Sequence, residues 1–446
     1  MSKKIFLIFF LTVVVIAFLS FHIFAADQLK EIRFLCQASP AGEKYAEVFS
    51  GFEKYGFKVI VEQVPWVNYL EKAQLAVQSK VSPYDVINAN VEWVLPSYVM
   101  SDAVMPLNEF VEKDPIDYND FLSITLDNVF WPKDSKYKPT GTYRDWQNGL
   151  LYGIPSLSDT TPLSYRRDWF EEAGIAGTPK NWEEFLDVCQ KMTKDIDGDG
   201  TPDRYGYAFA SIPEGGQLTD YWMLFVYSWG ADLLDENFQP AFNNQNGIEA
   251  TQFMADLLHK HKVVPPGVLT YGIPQAFDAF KKGITAMTSQ WGYALASVED
   301  PNESAAAGNT AYGVPPSKDR LGARFAQWAY TIPTNARDPQ ASWEFIKIAS
   351  SVESQIALLP DVAPSRQLAA EKAISEFPNL YLSAQMKTIS YPEISIKPQI
   401  PNILELDAAV SYIVFEAIAG QKSVQDALKE AELNAIEVLK KGNLLK

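Results

Sequence analysis

Cysteine and histidine are scarce in this 446-residue chain, with two of the first and three of the second. Cys36 falls on a predicted strand and Cys189 on the apolar face of a predicted helix, so they are expected as two buried free thiols, not a disulfide. His22 lies in an N-terminal apolar segment. His259 and His261 stand two apart and so point to different faces of a helix. A histidine-based metal site or catalytic triad has no support here. Basic residues are also in deficit, 38 against 55 acidic ones, for a net charge of −17. That balance argues against nucleic acid and anionic membrane surfaces as partners, because both require basic patches.

What is present begins with Lys3 and Lys4, an apolar run from Ile5 to Leu19, and the small pair Ala25–Ala26. This is the pattern of a secretory signal peptide over residues 1–26, with an uncleaved membrane anchor as the alternative. The nearest cysteine, Cys36, follows strand-like residues and is not placed for lipid attachment. The mature protein is therefore expected to be exported, periplasmic or extracellular.

The length suits two lobes. KEIRFLCQA, GFKVIVEQVPW and YDVINAN read as strands with helical stretches between them, which predicts an α/β lobe with a largely parallel sheet. In such sheets ligands gather beyond the carboxyl ends of the strands. In KNWEEFLDVCQKM, Asn181 is a predicted N-cap with Glu184 three residues on. Trp182, Phe185, Leu186, Cys189 and Met192 follow at helical spacing.

The run LYGIPSLSDTTPLSYRRDWFEEAGIAGTPKNWEEFLDVCQKMTKD, together with AFDAFKKGITAMTSQWGYAL, TAYGVPPS, QWAYTIPTNARDPQASWEFIKIASS and VAPSR, resembles the family 1 extracellular solute-binding proteins of ABC importers. These are the maltose-binding-protein-like receptors. Arg166 departs from the asparagine that the family usually carries after the tyrosine. The resemblance implies a two-lobed periplasmic-binding-protein fold of type II, each lobe a mostly parallel sheet flanked by helices. Lobe one is expected over 27–158 plus 316–362 and lobe two over 159–315 plus 363–446. Crossings are expected near Ile154–Pro162, Tyr312–Pro316 and Leu359–Pro364. The implied function is capture of a sugar or oligosaccharide between the lobes by hinge closure, and delivery to an ABC transporter permease. The implied receptor is a monomer with no catalytic residues.

Sugars offer C–H faces to aromatic rings and hydroxyls to carboxylates and amides. The candidate ligand-facing rings are Trp66 and Trp93 at the ends of lobe-one strands, Trp291 in TSQWGYA, Trp328 after the second crossing, and Trp222 and, more weakly, Trp229 on a helix. Candidate polar partners are Asn88 and Asn90 ending the third strand, Asp159 after the first crossing, and Arg366 at the third. No cluster of lysine and arginine marks a phosphate pocket, so a neutral solute is expected. The rival reading is a secreted carbohydrate-active hydrolase, which would need two carboxyl groups about 5–9.5 Å apart. No motif singles out such a pair.

DIDGDGTPDRYG, from Asp195 to Gly206, spells most of a calcium loop. Asp195, Asp197, Asp199, Thr201 and Asp203 occupy ligand positions, but Gly206 stands where an EF-hand places its closing glutamate. The alternating RYGYAFAS that follows predicts a strand in place of a second helix. The loop is therefore expected to be a structural Ca2+ clasp in lobe two, away from the cleft, with a metal-free turn as the alternative.

Overall fold

The computed structural model describes residues 29–132, 149–378, 380–391 and 394–445. The predicted leader lies outside them. Among the described residues no helix is long and apolar enough to cross a membrane.

Among the described residues, nine of the thirteen strands build two larger sheets, and the other four pair as two-stranded ribbons. The first contains β1 (Lys30–Gln37), β2 (Phe57–Val64), β3 (Val86–Asn90), β4 (Ile154–Thr160) and β9 (Phe325–Thr331), in the order β2-β1-β3-β9-β4. The second contains β5 (Leu163–Arg166), β6 (Tyr205–Ala208), β7 (Thr285–Ser289) and β8 (Thr310–Gly313), in the order β8-β5-β7-β6. β1 runs parallel to β2 and β3, whereas β9 is antiparallel to both of its neighbours. In the second sheet only the β6–β7 pair is parallel. Both sheets are thus mixed, where sequence reasoning predicts mostly parallel ones. The strands that follow a passage from one lobe to the other enter their sheet from the opposite end.

Local chemistry accounts for the elements. Helix α1 (Pro40–Ser50) starts at Ser39, whose hydroxyl accepts from the Gly42 amide, with proline at the first helical position. It buries Tyr45 and Phe49 against Phe34 of β1 at ring distances of 5.5 Å. β2, FKVIVEQV, is rich in β-branched residues, and Pro65 then opens helix α2 (Trp66–Gln78). Pro155 cannot donate to a ladder, and it sits on the edge strand β4, where the pairing with β9 shifts register between Trp328 and Ala329. Helix α3 (Trp182–Met192) has the predicted cap: Asn181 accepts from the Glu184 amide at 2.8 Å. Trp182, Phe185, Cys189 and Met192 are buried as expected, and Val188 joins them while Leu186 is only half-buried. Cys36 on β1 and Cys189 on α3 are free and buried.

The chain leaves the first sheet after Thr160 and enters the second at Leu163. The second passage lies beyond Tyr312–Pro316. β8 ends there within the second sheet, and the following loop stays on that lobe, with the Ser317 amide donating to Lys180 O at 3.0 Å and Asp319 to Ser228 O at 2.8 Å. The return comes at Ala323–Arg324. Residues Leu359–Pro364 still touch the first lobe, through the Ser158 amide and Ala363 O at 3.2 Å. Past them, helix α5 (Tyr381–Ile389) packs on both β8 and β4. Residues 394–400 then run beside the other two passages, with Phe325 donating to Ser395 O at 2.8 Å. Prolines flag a passage but are equally at home in loops, so they do not locate it. Helices α6 (Ile403–Ile418) and α7 (Val424–Lys441) pack against α4 (Gln217–Ser228) and its neighbours, and complete the second lobe.

Candidate functional site

The carboxyl ends of the first sheet carry an aromatic cluster. Trp66 heads α2 and lies 5.8 Å from the Trp328 ring and 6.5 Å from Trp93, edge to face in both cases. It stacks along Tyr69 at 6.1 Å. The structure therefore brings together three tryptophans that lie far apart in sequence. Trp66 is half-buried, and Trp93 and Trp328 are nearly covered.

Asn90 orients this cluster. Its Oδ1 accepts from the amides of Glu92 and Trp93 at 3.0 and 2.9 Å, which closes the turn that presents Trp93. Asn88 is committed inside the sheet: its Oδ1 accepts from Ser156 at 2.6 Å and its carbonyl from Tyr69 at 2.6 Å.

Asp159 ties the two lobes together. It is buried on β4, and it accepts from the Gly292 amide at 2.7 Å, the Thr160 amide at 2.8 Å and Gln385 Nε2 at 2.5 Å. Gly292 opens the short helix that follows Trp291, so this carboxylate holds the turn bearing that ring. Burial pushes the Asp159 carboxyl up to about 7, against the pull of these donors.

Three sequence-predicted residues lie elsewhere. Trp222 is fully buried, donating to Thr251 Oγ1 at 2.8 Å and packing on Phe242, because α4 is apolar on nearly all faces and lies inside the second lobe. Arg366 is spent within the first lobe, on Ser350 O at 2.5 Å, on Asp117 O at 3.0 Å and over the Phe121 ring. Trp229 packs against Trp182 at 5.5 Å, away from the cluster.

Sequence reasoning missed a buried ionic cluster beside Trp93. Arg324 Nη2 lies 3.0 Å from Glu92 and 3.6 Å from Asp220. Lys397 Nζ lies 3.0 Å from both Asp220 and Asp407, and 3.8 Å over the Trp93 ring. Thr219 bridges Asp407 and Lys397. Burial raises the Glu92 carboxyl to about 7, with Arg324 opposing the rise. The signal was available as single charges inside apolar runs: Arg324 in GARFAQWAY, Asp407 in LDAAVSYIVF and Asp220 in TDYWMLFVY. A charge placed so must find a partner.

The aspartate loop joins α3 to β6, as expected, and is exposed. Carboxylate oxygens of Asp195, Asp197 and Asp203 lie within 4.8 Å of one another. Asp199 and Thr201 stand outside this trio, with Asp199 Oδ1 accepting from the Thr201 amide at 2.7 Å. Gly206 has a packing reason: a Cβ there would sit 2.3 Å from Cys189 Cα, because β6 runs directly over α3. The glutamate that closes an EF-hand does not fit at this position.

Two α/β lobes joined by three chain passages, with an aromatic and ionic seam where they meet, define the class of bilobal binding proteins. The chain belongs to the bacterial extracellular solute-binding protein family, whose pattern matches residues 38–356. It is 23% identical over 396 residues to a probable amino-acid ABC transporter periplasmic-binding protein of Sinorhizobium fredii, covering 86% of this chain and 85% of that one. It is 22% identical over 315 residues to the mannitol-binding protein of Pseudomonas aeruginosa, covering 66% of this chain and 70% of that one. Among solved structures, an ABC transporter solute-binding protein of Thermotoga lettingae bound with α-D-tagatose is similar with a TM-score of 0.77 and 22% identity, over 92% of this chain and 100% of that one. At this identity the likeness establishes the fold.

Proposed function

We propose that this protein is an exported receptor that captures a neutral sugar or polyol between its lobes, closes by hinge motion, and delivers the solute to an ABC permease as a monomer. The observation that carries the reading is the gathering of Trp66, Trp93 and Trp328 at one lobe's edge, where Trp93 meets Gly216 of the other. Rings with hydrogen-bonding groups around them suit polyhydroxylated ligands. The mannitol-binding and tagatose-bound relatives support the same class. The division of lobes that goes with it runs through Thr161–Pro162, Ala323–Arg324 and residues 394–400. A hydrolase is the weaker reading, because Glu92, Asp220 and Asp407 are engaged with Arg324 and Lys397.

A thermal-shift screen tests the class. The cognate solute should raise the melting temperature in line with RT ln(1 + [L]/Kd). A shift with an amino acid and none with any sugar or polyol would overturn the substrate class. For the cognate solute, Trp66→Ala and Trp291→Ala should each weaken binding by about 5- to 150-fold, the range for loss of one stacking ring. Trp222→Phe should leave affinity unchanged. Calorimetric titration of the three variants separates these outcomes.

The Asp195, Asp197 and Asp203 oxygens suit a hard cation in donor type, and we assign them to a structural Ca2+ clasp. Calcium restored to chelator-treated protein should raise its melting temperature, and Asp195→Asn with Asp203→Asn should abolish the rise. An unchanged temperature would refute the clasp.

A further inference from the structure

We propose that Gly216, Arg324 and Lys397 form an interlobe latch that sets the balance between open and closed molecules. This rests on the two-lobed reading above but not on the identity of the ligand.

The two cations are rooted in chain passages. The Arg324 amide donates to Thr161 Oγ1 at 3.0 Å and its guanidinium reaches Ser395 at 3.3 Å, so it stands where all three passages meet. Lys397 lies on the third passage, beside Gln399, which donates to Val91 O at 3.1 Å and Asn128 O at 2.9 Å in the first lobe. Each cation engages both lobes. Arg324 has Glu92 on one side and Asp220 on the other. The Lys397 amide donates to Glu92 at 3.1 Å, while its ammonium serves Asp220, Asp407 and Thr219 of the second lobe and lies over Trp93 of the first.

Gly216 supplies an independent constraint. It caps α4, the helix that carries Thr219 and Asp220, at φ +78°. A Cβ at Gly216 would lie 2.3 Å from Trp93 Cη2 and 3.2 Å from Lys397 Nζ. The second lobe's helix can approach the first lobe this closely only because that position has no side chain. Separating the lobes draws Asp220 and Gly216 away from Glu92 and Trp93: Arg324 must then release Glu92 or Asp220, and the Lys397 ammonium must leave either the Trp93 ring or Asp220 and Asp407. Two such arrangements make the seam bistable rather than continuously deformable.

Gly215 provides the control. It has φ +68°, and a Cβ there meets nothing within 4 Å. Gly215→Ala therefore carries the same backbone strain as Gly216→Ala without the interlobe clash.

The test measures lobe separation in the full chain without added solute. Spin labels are placed on Leu75→Cys and Leu433→Cys, which are 59% and 60% exposed on helices of opposite lobes, while the native cysteines are buried. Pulsed electron resonance then reports the interlobe distance. The parent and Gly215→Ala should show a short-distance population. Gly216→Ala and Lys397→Met should lose it in favour of longer distances, with a folded circular dichroism spectrum in Gly216→Ala. The latch is refuted if Gly216→Ala keeps the parent distribution, or if Gly215→Ala shifts it equally. A parent showing long distances alone would also refute it. Because no solute is present, these results stand whether or not the ligand is a sugar.

Discussion

Replacing Arg324 by alanine is expected to lower the unfolding free energy by about 3–5 kcal/mol, the cost of removing one partner from a buried ion pair. Its side chain is fully buried, and that of Glu92 is 3% exposed. Truncation strands the Glu92 and Asp220 carboxylates in the interior with Lys397 as the remaining cation. The pair is not expected to be strongly stabilising in itself, because desolvating two charges offsets most of their attraction. Arg324 Nε is buried and finds no acceptor, which adds to that cost. The double replacement Arg324→Met with Glu92→Gln should therefore recover most of the loss. Urea unfolding at constant m-value measures both. A loss below about 1 kcal/mol for the single variant would mean that water reaches the cluster.

Stability should also fall as pH rises through neutrality. Asp159 and Glu92 are both raised to about 7 by burial, whereas in the unfolded chain such carboxyls titrate near about 4. Between these values the folded protein holds protons that the unfolded chain has released. The contribution of each group is thus fully present below the unfolded value and is lost as pH climbs through the folded one. From pH about 5.5 to about 8 the loss should be about 2 kcal/mol per group. Asp159→Asn should remove its share of the slope. The amide oxygen can take the bonds from Gly292, Thr160 and Gln385, and only the long Tyr293 contact at 3.3 Å is given up. Urea midpoints that rise between pH 5.5 and 8, or a slope unchanged in Asp159→Asn, would contradict this account.

The class of fold was legible because its signals are local. Ser39 and Asn181 cap helices through neighbours three residues away, and the β-branched run in β2 specifies a strand without distant partners. The fit of Asp195–Asp203 between a helix and a strand was readable for the same reason. The turn that Asn90 closes onto the Glu92 and Trp93 amides is likewise a contact between near neighbours at a strand end.

Residue types alone did not separate Trp66 from Trp222. Both lie on helices, but Trp66, the first residue of α2, is half-buried against Trp93 and Trp328, whereas Trp222 is fully buried on α4. Asp159 lies at the end of β4, but its partners Gly292 and Gln385 lie more than a hundred residues away, and no local pattern pairs them with it. By itself the sequence determined the elements, their caps and the family, because hydrogen bonding and periodicity over a few residues suffice for those. Tertiary structure alone decided that Arg324 and Lys397 stand between Glu92 and Asp220, and that Gly216 lies against Trp93. Desolvation and close approach depend on which distant segments are brought together, and no local pattern encodes that.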